Sequence, residues 1–232
     1  MFFSTSAHYI PTANEDASFY GPLAMGVSDG VGGWAEQGGD AGLYARTLMR
    51  GAMRAVSSDA RAMMQAAYDQ MPPDIQGTAT ATVVVLVQSQ LCIANLGDSG
   101  VLVLRAVEGV YHVALRTRAQ QHDFNCPFQL GTHSPDTPAN ADTYDLALDV
   151  GDVVVVATDG VFDNLFECEI VQCLDARDPA SAIATAAYQK SKDKKATTPF
   201  SISASVHNFP HRGGKPDDIT CLVGVVTHGG PR

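Results

Sequence analysis

Two apolar runs in this chain end in an acid followed by a glycine. Met25-Gly26-Val27-Ser28 leads into Asp29-Gly30-Val31, and Val153 to Thr158 leads into Asp159-Gly160-Val161. Each run has the texture of a buried β-strand. A strand end holds a carboxylate rigidly, and the glycine after it lets the backbone turn away and leaves its carbonyl accessible. Further acidic pairs stand at Glu15-Asp16 and Asp217-Asp218. Carboxylates, a backbone carbonyl and water are hard oxygen ligands, suited to Mg²⁺ or Mn²⁺ rather than zinc. Two such ions about 4 Å apart can activate a water and clamp the oxygens of an in-line displacement at phosphorus. Asp29 is the natural bridge between the ions, because Gly30 beside it can add its carbonyl. Asp-Gly is also the preferred dipeptide of a tight hairpin turn, and one such pair alone would be read that way.

Such a site needs no serine or cysteine nucleophile, and the chain has no GxSxG motif, no CxxxxxR loop and no P-loop. The cysteines, Cys92, Cys126, Cys168, Cys173 and Cys221, include no CxxC pair, and the histidines show no zinc-like spacing. Free thiols in a reducing compartment are expected, with Cys92 and Cys221 as small core residues.

Positioning these acids requires strands on either side of the chain's helices. The spacing predicts a strand within Ala7 to Tyr20 and another over Leu23 to Ser28. Asp40 caps a helix from Ala41 to about Val56, with Leu43, Thr47, Met49, Met53 and Val56 as an approximate apolar face. A second helix starts at Ser58 or Asp59 and runs through Tyr68. The β-branched runs Thr78 to Gln88, Leu91 to Leu96, Val101 to Ala106 and Tyr111 to Leu115 read as an antiparallel meander. A strand follows over Asp152 to Thr158, then helices over Cys168 to Leu174 and Pro179 to Lys192. Asp193 to Pro216 reads as a long surface loop, a candidate lid or specificity insertion. Thr220 to Val226 is the last strand. This order implies α+β layers with at least one largely antiparallel sheet.

The 232 residues fit one domain spanning 1–232, with 45% apolar residues to fill a core. The formal charge is −10, from 25 acids against 15 bases, which argues against nucleic acid as a partner. No apolar run approaches the ~20 residues of a membrane span. No Lys or Arg precedes Arg46, so no arginine-rich transit peptide is visible and cytoplasm is the default compartment. A monomer is expected.

Five motifs occur in order: Glu15-Asp16-Ala17, Ser28-Asp29-Gly30-Val31-Gly32-Gly33-Trp34, Ala94-Asn95-Leu96-Gly97-Asp98-Ser99, Thr158-Asp159-Gly160 and Lys215-Pro216-Asp217-Asp218-Ile219-Thr220. Together they resemble the metal-dependent protein phosphatases, the type 2C or PPM family. The segment Gln120 to Leu130 and Arg212-Gly213-Gly214-Lys215 resemble the branch that includes mitochondrial and plastid matrix phosphatases, which makes the mitochondrion the alternative compartment. The resemblance implies a four-layer α-β-β-α sandwich with two central, mainly antiparallel β-sheets. It also implies hydrolysis of phosphoserine and phosphothreonine in protein substrates, dependent on Mn²⁺ or Mg²⁺.

Carried over residue by residue, Asp29 matches the bridging ligand and Gly30 the carbonyl ligand. Asp159 and Asp217 match the carboxylates of one metal and Glu15 that of the second, while Asp16 orients a water. Asp98 and Asp163 match a weaker third-metal position, although Asp163 equally suits a helix N-cap before Asn164-Leu165. Asp218 stands where the family often has Asn, and is expected to hydrogen-bond the loop. Two departures stand out. Pro11 occupies the place of a phosphate-holding arginine, and Val31 that of a histidine thought to protonate the leaving group. Arg212 and Lys215 are the candidates for gripping phosphate. His122 is read as a buried structural residue, with leaving-group protonation as the lesser reading. Trp34 and Phe124 to Leu130 are read as core or rim packing. The departures also leave open a catalytically silent module that binds phosphoproteins or partner proteins, and a hydrolase of small phosphate esters.

Overall fold

The longest apolar runs are buried on both faces, and this fixes the number of layers. Val83 and Val85 join one core while Val84 and Leu86, between and beyond them, join another. Likewise Val153, Val155 and Ala157 separate from Val154 and Val156, and Leu102 and Leu104 from Val101 and Val103. Successive side chains of a strand point to opposite faces, so each of these strands belongs to a sheet covered on both sides.

The computed structural model describes residues 1–55 and 57–229. In chain order, strands β1 (Phe2–Ile10), β2 (Ala17–Tyr20) and β3 (Ala24–Ser28) precede helices α1 (Ala41–Arg54) and α2 (Ala60–Asp69). Next come β4 (Thr78–Ala79), β5 (Ala81–Val87), β6 (Gln90–Leu96), β7 (Gly100–Val107) and β8 (Val110–Arg116). The short strands β9 (Gln121–Asp123), β10 (Cys126–Pro127) and β11 (Leu130–Gly131) lead to β12 (Asp142–Ala147) and β13 (Val153–Ala157). Helices α3 (Asp159–Phe162), α4 (Glu167–Gln172), α5 (Pro179–Lys192) and α6 (Pro199–Val206) follow, and β14 (Ile219–Thr227) comes last.

Two five-stranded sheets result, in the orders β1-β14-β13-β7-β8 and β12-β6-β5-β3-β2, with every neighbouring pair antiparallel. Met25, Val27, Val154 and Leu222 fill the layer between the sheets. Helices α1 and α2 cover one outer face through Tyr44, Leu48, Met63 and Met64. Ile170, Ile183 and Ala187 of α4 and α5 cover the other. The expected four-layer α-β-β-α arrangement is the one observed.

Several local expectations are revised. The four central runs do not form one meander. β5 and β6 pair in one sheet, β7 and β8 pair in the other, and the segment between Leu96 and Gly100 carries the chain across. That crossing uses Gly97 at φ +102 and the buried Asn95, whose side-chain carbonyl accepts from Thr82 Oγ1 at 2.6 Å. The Thr78 to Gln88 run breaks at Thr80, whose N–H and hydroxyl serve Asp29 instead. The buried face of α1 is Tyr44, Ala45, Leu48, Met49 and Ala52, which keeps Met49 of the expected face, whereas Leu43 and Met53 are exposed. Val56 lies outside the described residues. Cys221 is buried as expected, but Cys92 is only half-buried, because it lines an open groove with Asp59, Arg61 and Asp145.

The expected loop from Asp193 to Pro216 contains α6. Thr198 caps it by accepting from Ser201 N at 3.0 Å, Pro199 occupies the first turn, and Phe200 and Ala204 form its buried stripe. Three serines inside the helix hide that stripe from a reading by composition. Thr198 is fully buried and also donates to Gly213 O at 3.1 Å. Thr198→Ala removes both bonds and is expected to cost about 1–2 kcal/mol. A urea midpoint lowered at unchanged slope would show it, and an unchanged midpoint would mean that α6 does not depend on this cap.

Candidate active site

The two strand-Asp-Gly units belong to different sheets. β3 and β13 face each other across the sandwich, so Asp29 and Asp159 emerge at the same end of it. Neither glycine adopts a left-handed conformation. Both are required by crowding: a Cβ on Gly160 would stand 1.9 Å from the Asp218 carbonyl oxygen, and one on Gly30 would stand 2.8 Å from Ala41 and from the Glu15 carbonyl. The carbonyl of Gly160 is engaged by Asn164 Nδ2 at 2.9 Å. Gly30 bridges to Ala79 through bonds of its neighbours, Thr80 N to Asp29 O and Val31 N to Thr78 O, which leave the Gly30 carbonyl outside the bridge.

The acidic pairs arrive by strand register. β1 and β14 pair with Ile10 opposite Ile219, so the loop after Ile10 and the segment before Ile219 leave the sheet side by side. Asp218 then gathers the N-terminal loop. Its carboxylate accepts from the backbone N–H groups of Thr12, Ala13, Asn14, Glu15 and Asp16, and from the Tyr9 hydroxyl at 3.3 Å. Burial pushes the Asp218 carboxyl up, but these N–H donors outweigh it and hold it below the usual carboxylate range. The expected loop-anchoring role of Asp218 is what the geometry displays.

Asp16 is 4% exposed. Its Oδ2 accepts from the hydroxyls of Thr220 at 2.7 Å and Thr158 at 2.9 Å, while Oδ1 is buried with no partner. Burial drives its pKa well above normal, the two hydroxyls oppose this, and the charges of Asp218 and Asp159 add to it. Thr220 N also donates to Thr158 Oγ1 at 3.1 Å, which fixes both threonines.

Lys215 projects its ammonium into the same cluster. Nζ lies 2.5 Å from Asp159 Oδ2, 2.8 Å from Asp163 Oδ2 and 3.3 Å from Asp217 Oδ2. Burial raises Asp159, but Lys215 and neighbouring hydrogen bonds outweigh it and leave its carboxyl below the usual range. Asp29 goes the other way: burial and then the charges of Asp16, Asp159 and Asp217 lift it well above normal. Burial and Asp159 lift Asp98 to about 7 and Asp217 to about 6, each against the pull of Lys215. Asp163 rises to about 8 by burial, with Lys215 opposing. Glu15, partly exposed, is raised by burial and then by Asp218 and Asp40.

This donor set fits hard divalent cations. All the groups are oxygens, and two buried carboxylate oxygens, Asp16 Oδ1 and Asp159 Oδ1, lack any protein partner. Among the described residues no three Asp, Glu, His or Cys side chains are arranged as they stand to hold a metal ion. Three of the acids close around Lys215 instead.

The candidates for gripping phosphate are not brought together. Lys215 is taken up by carboxylates, and Arg212 is exposed, lining a groove of about 1040 Å³ with Lys194, Lys195 and Ser201. Asp163 ends α3 rather than capping a helix at its start. His122 is not buried: its side chain is 41% exposed, pairs with Asp136 at 2.9 Å and stacks on Phe128. Trp34 is rim packing, its indole donating to Thr78 Oγ1 at 2.7 Å.

The sequence reading gave no role to Thr80, Thr158, Thr220 or Asn164. Thr80 Oγ1 accepts from Asp29 N at 3.0 Å and bonds Ser99 Oγ at 2.9 Å, which steadies the first Asp-Gly. The only available signal was a threonine directly before Asp159 and another two residues after Asp218.

Because five N–H groups depend on one carboxylate, Asp218→Ala is expected to lower stability at pH 7 by about 2–4 kcal/mol. The folded-state pKa is depressed, so this contribution is present above the unfolded value of about 3.9 and is lost as pH falls through the folded one. Urea titrations from pH 7 down to pH 3 should show the gap between wild type and variant closing at the acid end. A constant gap would mean that the carboxylate charge is not what holds the loop.

Comparison with known proteins agrees with this architecture. The model of the Stage II sporulation protein E family matches residues 21–226. Probable protein phosphatase 2C 55 of Arabidopsis thaliana is 39% identical over 93% of this chain, which spans 48% of that relative. The Homo sapiens protein phosphatase PTC7 homolog is 36% identical, with 87% of this chain and 74% of the relative covered. The chain thus spans about half the length of the plant relative and about three quarters of the human one. The X-ray structure of the photosystem II phosphatase PBCP superposes with a TM-score of 0.88 at 29% identity, covering 97% of this chain and 99% of that one. The catalytic domain of the serine/threonine phosphatase PstP, solved with two manganese ions, shares the fold at 18% identity, with a TM-score of 0.67 and 98% and 99% coverage. With five ordered motifs gathered at one end of an α-β-β-α sandwich, the chain belongs to the type 2C, or PPM, family of protein phosphatases.

Proposed function

We propose that residues 1–232 act as one catalytic unit, a Mn²⁺- or Mg²⁺-dependent phosphatase of phosphoserine and phosphothreonine in proteins. The observation that carries this reading is the convergence of Asp16, Asp29, Asp159 and Asp217 from four separate segments, with two buried carboxylate oxygens left unpartnered. Asp29 would serve both ions, with the Gly30 carbonyl as a further ligand, Asp159 and Asp217 would hold one of them, and Glu15 the other. When bound, the cations neutralise charge on the phosphoryl oxygens and lower the pKa of water. Asp16 supplies a fixed acceptor: Thr158 and Thr220 pin Oδ2, so the unpartnered Oδ1 keeps one aim and can take a proton from an attacking water. Asp218 holds Glu15 and Asp16 at that aim through their backbone N–H groups.

Pro11 and Val31, standing where the family resemblance leads one to expect an arginine and a histidine, support a second reading, a silent module that binds phosphoproteins. Phosphate release from a phosphothreonine peptide with Mn²⁺, with Mg²⁺ and with EDTA separates the two. We expect metal-dependent release that EDTA abolishes and that Asp159→Asn lowers by roughly 100-fold or more, the several kcal/mol a displaced cation withdraws from the transition state. Release that survives Asp159→Asn would overturn the site. No release, with Mn²⁺ still bound in calorimetry, would favour the silent module. Faster turnover of a small aryl phosphate than of the peptide would argue for a small-ester hydrolase.

A further inference from the structure

Lys215 is built into the carboxylate cluster rather than resting on its surface. Asn164, fully buried, clamps the lysine backbone from both sides: its Oδ1 accepts from Lys215 N and its Nδ2 donates to Lys215 O, each at 2.9 Å. The same Nδ2 donates to Gly160 O, so the clamp is continuous with the second Asp-Gly turn. Pro216 restricts the lysine's backbone further. The Phe200 ring of α6 lies 5.1 Å from Nζ, and the side chain is 15% exposed. An ammonium removed from water to this degree needs close anions, and it has Asp159, Asp163 and Asp217. Asp98, tethered by Gln121 Nε2 at 3.0 Å, is near enough to feel its charge.

The lysine therefore meets Asp163, one of the two acids that match a third-metal position, together with one oxygen each of Asp159 and Asp217, while Asp98 stands outside ion-pair distance. Asp159 is divided between two sides: Oδ2 meets the ammonium, while Oδ1 stays unpartnered in a carboxylate that adjoins Asp29. One cation position is thus served by the protein's own charge, and the unpartnered Oδ1 of Asp159 is left for an added ion.

We propose that the Lys215 ammonium is a built-in third cation, so that the cluster takes up two divalent ions and Asp163 is a lysine partner rather than a metal ligand. This rests on the binuclear reading above. Mn²⁺ stoichiometry by equilibrium dialysis and calorimetry tests it without reference to turnover, with folding checked by circular dichroism. Wild type should bind two ions, Lys215→Met should bind a third and weaker one, and Lys215→Met with Asp163→Asn should return to two. Asp163→Asn alone should leave the wild-type count at two, which decides the matter even if Lys215→Met does not fold. Three ions in wild type, falling to two in Asp163→Asn, would overturn the proposal. So would a folded Lys215→Met that still binds only two. Wild type binding fewer than two ions would instead sink the binuclear reading, and this inference with it.

Discussion

Asp218 joins the two ends of the sequence at the site, and the remaining acids take their places around that junction. Its carboxylate receives the N–H groups of five consecutive residues, Thr12 to Asp16, as they leave β1. Converging N–H groups form a concave patch of partial positive charge, and a buried anion in that patch is far steadier than a loop held by apolar contact alone. From this anchor Glu15 fixes Gly30 by accepting its N–H at 3.2 Å, and Asp16 reaches the two threonines of the opposite sheet. The Asp218 carbonyl in turn crosses Gly160 so closely that no side chain fits there. One interaction thus couples both acidic pairs to both Asp-Gly turns.

Crowding of like charge is the cost of this arrangement, and the protein leaves it only partly compensated. Asp29 and Asp159 are neighbours with opposite fates, because the single nearby ammonium sits on Asp159 and not on Asp29. One lysine cannot balance Asp16, Asp29, Asp98, Asp163 and Asp217 as well, and burial keeps several of them biased toward the protonated form. A divalent cation binding among them would displace protons and relieve repulsion in the same event. Strain of this kind, concentrated where the two sheets and their connecting segments meet, is what a binding site retains at the expense of stability.

The rim of the cluster is aromatic and comes from two segments far apart in the chain. Phe124, at the tip of the β9–β10 hairpin, packs on Phe200, His207 and Phe209 of α6 and its exit, with ring centroids 4.9–5.3 Å apart. The hairpin also reaches the acids through Gln121 and Asp98, and α6 through Phe200 and Lys215. Beyond this rim lies the groove with Lys194, Lys195 and Arg212, a local concentration of base on a chain whose formal charge is −10.

The sequence by itself determined the parts with a strong local cause. Continuous apolar and β-branched runs defined the strands, Asp40 and Ser58-Asp59 marked the starts of α1 and α2, Pro179 and Lys192 bounded α5, and the acid-glycine pairs marked the chemistry. Local pattern also misled where small or polar residues shared the packing, as with Ala45 and Ala52 of α1 and the serine-rich α6. Which sheet each hairpin joined was decided only by tertiary structure, because β6 and β7 look alike whether the turn between them folds back or crosses over. So was the partner of Lys215. Lys215 reads as a grip for phosphate, and only the folded chain, with Asn164 holding its backbone and Phe200 beside its ammonium, sets that ammonium on the distant Asp159 and Asp163 as well as on the adjacent Asp217. Strand formation answers to neighbours along the chain, whereas the electrostatics of the site answer to distance in space, which the sequence does not carry.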